Sequence, residues 1–336
     1  MEQNPRIRDL VAARQGKEIV VSIEFFPPKT EGGMTSLYNL AEKLKVYSPL
    51  FADVTWGAGG STSELTIDIC KNLKLKGHVV NMHLTCTNIE RVKVLEALNT
   101  CKDLGITNIL ALRGDPPAGQ EKWEATEGGF QCALDLVRFI RQEHGDYFNL
   151  TVAGYPEGHP SRMTGLVEIT VCRDADFEIE LDYLQQKVDA GADCIITQLF
   201  FDAEVFLTFV RRCRERGIAC PIIPGIMCVN SAAGFKRMIG FCKTRIPQPF
   251  MDDVNSVQEE GMKALSTAYL ASMCASLVRA GHHFLHMYTL NTSAVTIAVL
   301  NSLASEFKIA GVAEGALSAP SVFDATLQKS VGLATA

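Results

Sequence analysis

The sequence lacks several features that would assign a protein to a class at once. No apolar run reaches the roughly 18 residues that a membrane-spanning helix needs. The first ten residues, MEQNPRIRDL, are polar and contain no apolar segment typical of a signal peptide. No block of basic residues occurs and the formal net charge is −6, which argues against electrostatic binding to nucleic acid. We therefore expect a cytoplasmic protein with no membrane partner and no nucleic-acid partner.

Neither the cysteines nor the histidines form a recognisable framework. The eleven cysteines include no C-x-x-C pair, and most lie in apolar segments, such as Cys194 in DCIITQLF. Buried free thiols are typical of a reducing compartment, which agrees with a cytoplasmic location. The histidines of HHFLH (282–286) would face both sides of a strand and have no carboxylate nearby in the sequence. We therefore predict no metal site.

What the sequence does contain is a regular alternation of strands and helices. The predicted strands are residues 19–25, 51–56, 79–86, 108–113, 150–156, 194–200, 221–226 and 282–289. Because each connection is long enough for a helix, the strands should be parallel. Eight such units suit an α/β fold of the (β/α)8 TIM-barrel type. The alternative is an open doubly wound sheet, although no G-x-G-x-x-G follows the first strand.

We predict a single catalytic domain over residues 1–308. Residues 309–336 are rich in Ala, Ser and Gly and lack a sustained helical stripe, so they should form a poorly structured C-terminal extension. Residues 160–177 interrupt the path from the fifth strand to its helix and are expected to form a long surface loop.

Polar residues follow almost every predicted strand, at the end where a TIM barrel has its active site. They are Glu24, Thr55, Trp56, His83, Thr85, Arg113, Asp115, Tyr155, His159, Gln198 and Tyr288. Each has a structural alternative, for example a rim ion pair between Arg113 and Asp115. Their common location on one face of the predicted barrel nevertheless indicates an active site.

Glu24 is the least expected of these residues, because it lies inside the apolar segment VVSIEFF. Burial disfavours the ionised form of a carboxyl group. A carboxyl that keeps its proton near neutral pH can act as a general acid. Pro27 and Pro28 end the strand and stiffen the chain after it. The alternative for Glu24 is an interior ion pair with Arg113 or Lys29.

Eight motifs, in chain order, carry a resemblance to a known family. They are SIEFFPPK, DVTWGAGG, HLTC, ALRGDPP, AGYPEGHP, KVDAGADCIITQLFFD, IIPGI and YTLN. Together they resemble the catalytic domain of methylenetetrahydrofolate reductases over residues from about Glu18 to Ser305. The stretch WEATEGGFQCALDLVRFI is more similar to the eukaryotic branch than to the bacterial one.

The resemblance implies a flavin-dependent enzyme of one-carbon metabolism built on a (β/α)8 barrel. Such an enzyme reduces 5,10-methylenetetrahydrofolate to 5-methyltetrahydrofolate with NADH or NADPH, by a ping-pong mechanism through FAD. It also implies a homo-oligomer, a dimer or a tetramer. The alternatives are a flavin-free barrel lyase or transferase that acts on a pterin or a phosphorylated substrate, and a non-catalytic barrel that serves as a partner subunit.

The resemblance also implies roles for individual residues. Glu24 matches the general acid that assists protonation of folate N10. Asp115 matches a residue between flavin and folate, whose negative charge should disfavour flavin reduction. The substrate-binding positions are Glu24, Asp115, Gln198 and Tyr288. The cofactor-binding positions are Thr55, Trp56, Ala58, His83, Arg113, Gly114, Asp115, Ala133, Tyr155, His159 and Lys187, with Arg113 and Lys187 expected at the pyrophosphate.

The chain departs from the family pattern at four places. Residues 161–177 are longer than in most members, and Glu180 and Tyr183 imperfectly match a carboxylate and an amide. Thr292 stands where an Arg commonly follows YTLN, and Cys132 replaces a Tyr near the adenosine. We expect these departures to alter the affinity for FAD or for folate, without removing a catalytic group. Eukaryotic members usually append a regulatory domain that binds S-adenosylmethionine. This chain stops before one could form, so either regulation by that ligand is absent or the sequence is a fragment.

Overall fold

The computed structural model describes residues 2–14, 16–56, 63–115, 123–159, 164–165, 170–171, 174–313 and 317. The helices in this part of the chain are α1 Ile7–Ala12, α2 Glu31–Leu44, α3 Ser63–Leu75, α4 Arg91–Asp103, α5 Ala133–His144, α6 Asp174–Asp189, α7 Ala203–Glu215, α8 Ala232–Cys242, α9 Gln248–Ser256, α10 Met262–Arg279 and α11 Ala294–Ala304. The strands are β1 Val20–Phe25, β2 Ala52–Val54, β3 Val80–Thr85, β4 Asn108–Leu112, β5 Asn149–Gly154, β6 Thr164–Gly165, β7 Thr170–Val171, β8 Cys194–Thr197, β9 Ile222–Ile223, β10 Gly225–Met227 and β11 Phe284–Tyr288.

Parallel pairing joins the strands into a barrel in the order β10-β11-β1-β2-β3-β4-β5-β8-β9. β9 and β10 are the two halves of the seventh predicted strand. Pro224 separates them because proline has no N–H to donate to the ladder. β9 pairs with β8, whereas β10 pairs with β11, and the His286 N–H donates to the Pro224 carbonyl at 3.0 Å. The ring closes through this segment, so the TIM barrel is confirmed and the open doubly wound sheet is wrong.

The alternation of side chains along β1 shows how the strands separate two environments. Val21, Ile23 and Phe25 belong to the main core, which also contains Leu37 and Leu40 of α2. Val20 belongs instead to the cluster inside the barrel, together with residues such as Leu110, Ile196 and Ile223. Glu24 lies four residues after Val20 and therefore shares its inward face.

The N-terminal segment closes the barrel at the end opposite to the active-site end. Ile7 is fully buried, and its N–H donates to Asn108 Oδ1 at 2.9 Å. The Arg8 N–H donates to Asn149 Oδ1 at the same distance, 2.9 Å. Because Asn108 and Asn149 are the first residues of β4 and β5, this plug covers the N-terminal ends of the strands. The only described entrance on the barrel axis is therefore at the C-terminal ends.

The prediction of a surface loop over residues 160–177 is wrong over residues 174–177. Helix α6 begins at Asp174, and two acidic residues in its first turn suit the positive end of a helix dipole. Phe177 is 6% exposed and contacts the Phe209 ring. Within the earlier part, β6 and β7 form a short antiparallel pair, while residues 160–163, 166–169 and 172–173 lie outside the described residues.

The predicted C-terminal extension begins with residues that pack on the barrel. Ile309 and Ala310 are buried, and the Ala310 N–H donates to the Ile19 carbonyl at 2.8 Å. Nearly all of residues 314–336 lie outside the described part, so the prediction for them stays a prediction. The ten described cysteines are all free, and seven are buried, as the sequence predicts. No described helix is both long enough and apolar enough to span a membrane.

Candidate functional site

A cavity of about 350 Å³ lies at the C-terminal ends of the barrel strands. Twelve of the predicted site residues line it: Glu24, Thr55, Trp56, His83, Thr85, Arg113, Gly114, Asp115, Tyr155, His159, Gln198 and Tyr288. They lie at the ends of different strands or just after them, and parallel pairing brings these strand ends to one edge. The barrel therefore assembles side chains that are far apart in the sequence into a single site.

Three predicted cofactor-binding residues do not line this cavity. Ala58 lies outside the described residues. Ala133 is the buried first residue of α5. Lys187 is buried in α6, where its Nζ donates to the Ala153 carbonyl at 2.7 Å. Because Ala153 itself lines the cavity, Lys187 lies directly behind the cavity wall.

Tyr183 stands one turn before Lys187, at a position where the sequence departs from the family pattern. Its hydroxyl oxygen accepts a hydrogen bond from the Leu134 N–H at 3.3 Å. The Lys187 ammonium lies 5.0 Å from the centre of the Tyr183 ring. Tyr183 thus links the start of α5 to α6. The replacement of the family's amide by a tyrosine at this position did not by itself predict this structural role.

A buried cluster of carboxylates and imidazoles forms the floor of the cavity. His83 Nε2 lies 3.1 Å from Asp53 Oδ2 and 3.5 Å from Glu24 Oε2. His286 Nε2 lies 3.8 Å from the same oxygen of each carboxylate. Ser22 Oγ and His286 Nδ1 share a hydrogen bond of 2.9 Å. We refer to Glu24, Asp53, His83 and His286 as the floor cluster.

The floor cluster corrects two expectations from the sequence. Among the described residues Glu24 pairs with His83, not with Arg113 or Lys29. The HHFLH segment does have carboxylates near it, because β11 pairs with β1 and brings His286 towards Glu24 and Asp53. Sequence reasoning missed Asp53 and His286, although both precede a predicted site residue by two positions and so share its face of a strand.

Electrostatics favour a charged imidazole in the floor cluster. Burial lowers the pKa of His83, but the hydrogen bond to Asp53 and the negative charges of Glu24 and Asp53 raise it, and the net shift is upward. One side-chain oxygen of Glu24, one of Asp53 and one ring nitrogen of His83 lie within 4.8 Å of one another. Since the 3.1 Å contact has the length of a hydrogen bond, we interpret the cluster as one that shares protons. The absence of a metal site stays a prediction.

Tyr288 forms the wall next to the floor cluster. Its hydroxyl donates to the Thr197 carbonyl at 2.7 Å, across the barrel from β11 to β8. Burial, and after it the negative charges of Glu24 and Asp53, hold the pKa of Tyr288 well above its ordinary value. The phenol therefore remains neutral and fixed in orientation at physiological pH.

The YTLN motif forms a strained turn that holds the backbone at Glu24 and Phe26. Leu290 and Asn291 have φ angles of +51° and +53°, which is uncommon for residues with a side chain. Asn291 makes two hydrogen bonds with the Phe26 backbone, accepting at 3.1 Å and donating at 2.8 Å. Thr289 Oγ1 donates to the Glu24 carbonyl at 2.7 Å. The turn ties the end of β11 to the end of β1.

Thr292, which replaces an Arg of the family pattern, belongs to the same turn. Its hydroxyl donates to the Thr289 carbonyl at 3.0 Å. A threonine engaged in this local hydrogen bond offers no positive charge for a carboxylate. Thr292 therefore cannot supply the anchor that the family resemblance implies at this position.

The RGD segment forms the rim of the cavity. Among the described residues no ion pair joins Arg113 to Asp115, so the rim-pair alternative is wrong; the guanidinium instead lies 5.4 Å from the Trp123 ring centre. Gly114 has φ +88°, and a Cβ there would lie 2.4 Å from Thr87 Oγ1. Only glycine allows this close approach of the rim to β3. Asp115 is exposed at the entrance.

The cavity has the features that a flavin dinucleotide would need. Trp56 Nε1 and Thr85 Oγ1 are buried and have no hydrogen-bond partner within the described structure. Both residues line the cavity, so a polar ligand there would satisfy them. Arg113 contributes a cation suited to a phosphate oxygen. The volume of about 350 Å³ falls in the range typical of small-molecule sites.

Comparison with known sequences gives a consistent result. The family model described as methylenetetrahydrofolate reductase matches residues 6–304. A probable methylenetetrahydrofolate reductase (NADH) of Oryza sativa subsp. japonica is 48% identical over 295 residues, which are 87% of this chain and 49% of that protein. Methylenetetrahydrofolate reductase 2 of Saccharomyces cerevisiae is 38% identical over 84% of this chain and 46% of its own length. A probable methylenetetrahydrofolate reductase (NADPH) of Caenorhabditis elegans is 36% identical over 85% of this chain and 42% of its own length. The chain thus spans about half the length of the curated relatives it matches.

One solved structure with a similar fold comes from Clostridium thermocellum. It is described as an uncharacterized protein that binds two copies of 5-methyl-5,6,7,8-tetrahydrofolic acid. It superimposes with a TM-score of 0.54 at 13% sequence identity, covering 89% of this chain and 97% of the other. At that identity the similarity supports the barrel fold alone.

Proposed function

Because this chain belongs to the methylenetetrahydrofolate reductase family, we propose that it reduces 5,10-methylenetetrahydrofolate to 5-methyltetrahydrofolate, with FAD as cofactor and NADH or NADPH as electron donor. The observation that carries the proposal is the convergence of twelve predicted site residues on one cavity. At its floor a partly buried carboxyl, Glu24, lies beside an imidazole whose pKa is raised. An acid that can donate to a substrate nitrogen is what the reaction requires.

The residues proposed to hold FAD are those that combine polarity with access to the cavity. Trp56 and Tyr155 provide aromatic surface, and Arg113 provides a positive charge for a phosphate. The complete set is Thr55, Trp56, Ala58, His83, Arg113, Gly114, Asp115, Ala133, Tyr155, His159 and Lys187. When bound, FAD would supply the transfer of two electrons between nicotinamide and folate.

Glu24 is proposed as the general acid of the folate half-reaction. Its side chain is 20% exposed, so a ligand in the cavity can reach it while the floor cluster contacts it from below. Protonation of N10 breaks its bond to the bridging methylene carbon and leaves an iminium at N5. The turn formed by YTLN holds the Glu24 carbonyl through Thr289, so the acid has a defined position during this step.

Asp115, Gln198 and Tyr288 are proposed to orient the folate. Asp115 is exposed at the entrance, where its carboxylate can accept hydrogen bonds from the amino group and ring nitrogens of a pterin. The backbone N–H of Gln198 donates to the Gly154 carbonyl at 2.8 Å. This hydrogen bond fixes the backbone from which the Gln198 amide side chain extends. Tyr288 already donates its hydroxyl proton to Thr197, so it would offer its ring and a lone pair.

We further propose a cytoplasmic location and a homo-oligomeric state, a dimer or a tetramer. The choice between NADH and NADPH is open, since the rice relative is named for NADH and the nematode relative for NADPH. The competing function, a flavin-free lyase or transferase on the same barrel, makes no use of a nicotinamide donor. The same experiment therefore tests both proposals.

The test is an anaerobic two-step reaction followed by the visible absorbance of the flavin. The purified protein is mixed with NADH or with NADPH, and methylenetetrahydrofolate is then added. We expect bleaching by one or both nicotinamides and recovery of the absorbance with folate. A colourless protein that takes up no added FAD would contradict the proposal, as would a bleached flavin that never recovers.

A further inference from the structure

Asp53 presents an energetic problem in the floor cluster. Its side chain is fully buried, and its Oδ1 has no partner among the described residues. An ionised carboxylate at such a position is destabilised by several kcal/mol unless a cation compensates it. The nearest basic group is His83, at 3.1 Å from Asp53 Oδ2.

His286 is placed as a second partner. Ser22 Oγ can donate to His286 Nδ1, which leaves the Nε2–H directed towards the carboxylates. At 3.8 Å from both oxygens this N–H is too far for a strong hydrogen bond. The ring is held between Phe51 and Tyr288, so it keeps this distance. His83 is therefore the imidazole that compensates Asp53.

The cavity is lined by other ionisable groups besides those of the floor cluster. They are Arg113, Asp115, Tyr155, His159, Cys242 and Tyr288. Burial holds the phenol of Tyr288 in its neutral form, and it does the same for Tyr155. Arg113 is directed to the Trp123 ring, away from an ion pair with the floor cluster. The charge of the floor is consequently decided among Glu24, Asp53 and His83.

We propose that the floor cluster is a proton reservoir for Glu24. His83 holds the reserve proton at neutral pH, and Asp53 is the positioning residue that keeps it there. The inference rests on the proposed function, because it concerns the acid of the folate half-reaction. It adds one residue with a defined part, Asp53, to those expected from the family resemblance.

The proton balance of the reservoir closes without any other reagent. Glu24 loses its carboxyl proton to the substrate nitrogen and becomes a carboxylate. The His83 Nε2–H bond then breaks, and a new O–H bond forms on Glu24 Oε2, 3.5 Å away. Neutral His83 recovers its proton from solvent after the product has left. Nothing is oxidised or reduced in these steps.

The direct test measures the protonation of His83 in the flavin-loaded protein. Nitrogen-15 is introduced at the seven histidines, and long-range proton–nitrogen spectra are recorded across the pH range. His83→Gln assigns the signal by its loss. We expect both ring nitrogens of His83 to stay protonated to a higher pH than those of an ordinary histidine, because Asp53 lies 3.1 Å from its Nε2. A neutral His83 ring at about pH 7 would overturn the proposal.

The kinetic test replaces Asp53 and follows each half-reaction separately by stopped flow. In Asp53→Asn the pH at which the folate half-reaction falls to half its maximum should move down by about one unit, because His83 loses its counter-charge. Reduction of the flavin by the nicotinamide should change less than about two-fold. A pH profile identical to that of the natural sequence would refute the role of Asp53.

Asp193→Asn is the matched control. Asp193 is also a mostly buried carboxylate, but it lies at the plugged end of the barrel, where it pairs with Arg8 and Arg141. This variant should leave the pH profile unchanged. If the protein fails to reduce folate at all, the proposed function is wrong, while the His83 spectrum still decides the reservoir. The same spectrum decides it if Asp53→Asn does not fold.

Discussion

At the scale of single residues, position on a strand decides what a carboxyl group can do. Glu24 faces the barrel interior because it shares the face of Val20, yet it remains 20% exposed at the edge of the cavity. Asp53, on the neighbouring strand, is fully buried, and its Oδ2 lies 3.1 Å from His83 Nε2. The Glu24 carboxyl is thus accessible to a substrate, whereas the Asp53 carboxyl interacts with the neighbouring His83.

Glu24→Gln separates the two proposed half-reactions. The amide keeps the size of the side chain but cannot donate an acidic proton, so the folate half-reaction should slow by about 10²- to 10⁴-fold. Reduction of the flavin by NADH or NADPH should remain within a few-fold. Stopped-flow absorbance measures both steps. An equal loss in both half-reactions would contradict the assignment of Glu24 as the general acid.

Asp115→Asn tests the electrostatic part of the site. Removal of this negative charge at the cavity entrance should raise the flavin reduction potential by a few tens of mV, because the charge no longer repels the anionic reduced flavin. Folate affinity should fall by about ten-fold through the loss of a charged acceptor. Potentiometric titration and folate binding provide the measurements. An unchanged potential would show that Asp115 does not act through its charge.

At the scale of elements, two interruptions of regular structure shape the cavity. Pro224 divides the seventh strand, so that β9 continues the ladder of β8 and β10 continues that of β11. The YTLN turn then fixes the end of β11 against β1 by side-chain hydrogen bonds. The strained φ of Leu290 is maintained by these contacts. The wall formed by Tyr288 is set by both interruptions.

Gly225→Ala tests how closely β10 packs against that wall. An added Cβ would lie 2.3 Å from the Thr197 carbonyl oxygen and 2.6 Å from the Tyr288 hydroxyl. The hydrogen bond between these two groups should break, with a loss of about 1–3 kcal/mol in the free energy of unfolding. Denaturant unfolding and folate affinity measure the effect.

Gly240→Ala in α8 is the control for this substitution. A Cβ at Gly240 would meet no atom within 4 Å, and alanine is favoured over glycine inside a helix by about 0.5–1 kcal/mol. The control should therefore be neutral or slightly stabilising. A Gly225→Ala protein as stable as this control would mean that the wall is not tightly packed.

At the scale of the whole molecule, the two ends of the barrel have different tasks. The plugged end is held by Asp193, which accepts from Arg141 at 2.8 Å, from Arg8 at 2.9 Å and from the Leu150 N–H at 2.8 Å. The open end has the cavity and unpartnered polar atoms. Ion pairs and hydrogen bonds of Asp193 hold the plugged end together, and the proposed chemistry is at the other end.

Asp193→Asn should expose this division. The substitution leaves Arg8 and Arg141 without the carboxylate that they share, so the free energy of unfolding should fall by about 2–4 kcal/mol. The loss is smaller than for a completely buried ion pair, because Arg8 is partly exposed. The rates of both half-reactions should stay the same in the folded protein. Thermal unfolding and stopped-flow kinetics would show the effect. A kinetic defect without a loss of stability would contradict the division.

The sequence by itself determined the alternation of strands and helices and, with it, the eleven polar residues that line the cavity. It could do so because the period of apolar residues is local information, and parallel strands have to bring their C-terminal ends together. Strand ends were predicted to within three residues, and the start of α6 was predicted too late.

Only the tertiary structure decided which side chains meet across strands. Glu24 pairs with His83 rather than with Arg113 or Lys29, and Asp53 and His286 join them beneath the cavity. Lys187 bonds to the Ala153 carbonyl behind the cavity wall. These contacts depend on strand register and on the closure of the barrel, which bring residues from distant parts of the chain within a few ångströms. Local sequence patterns do not determine the distances between residues that are far apart in the chain.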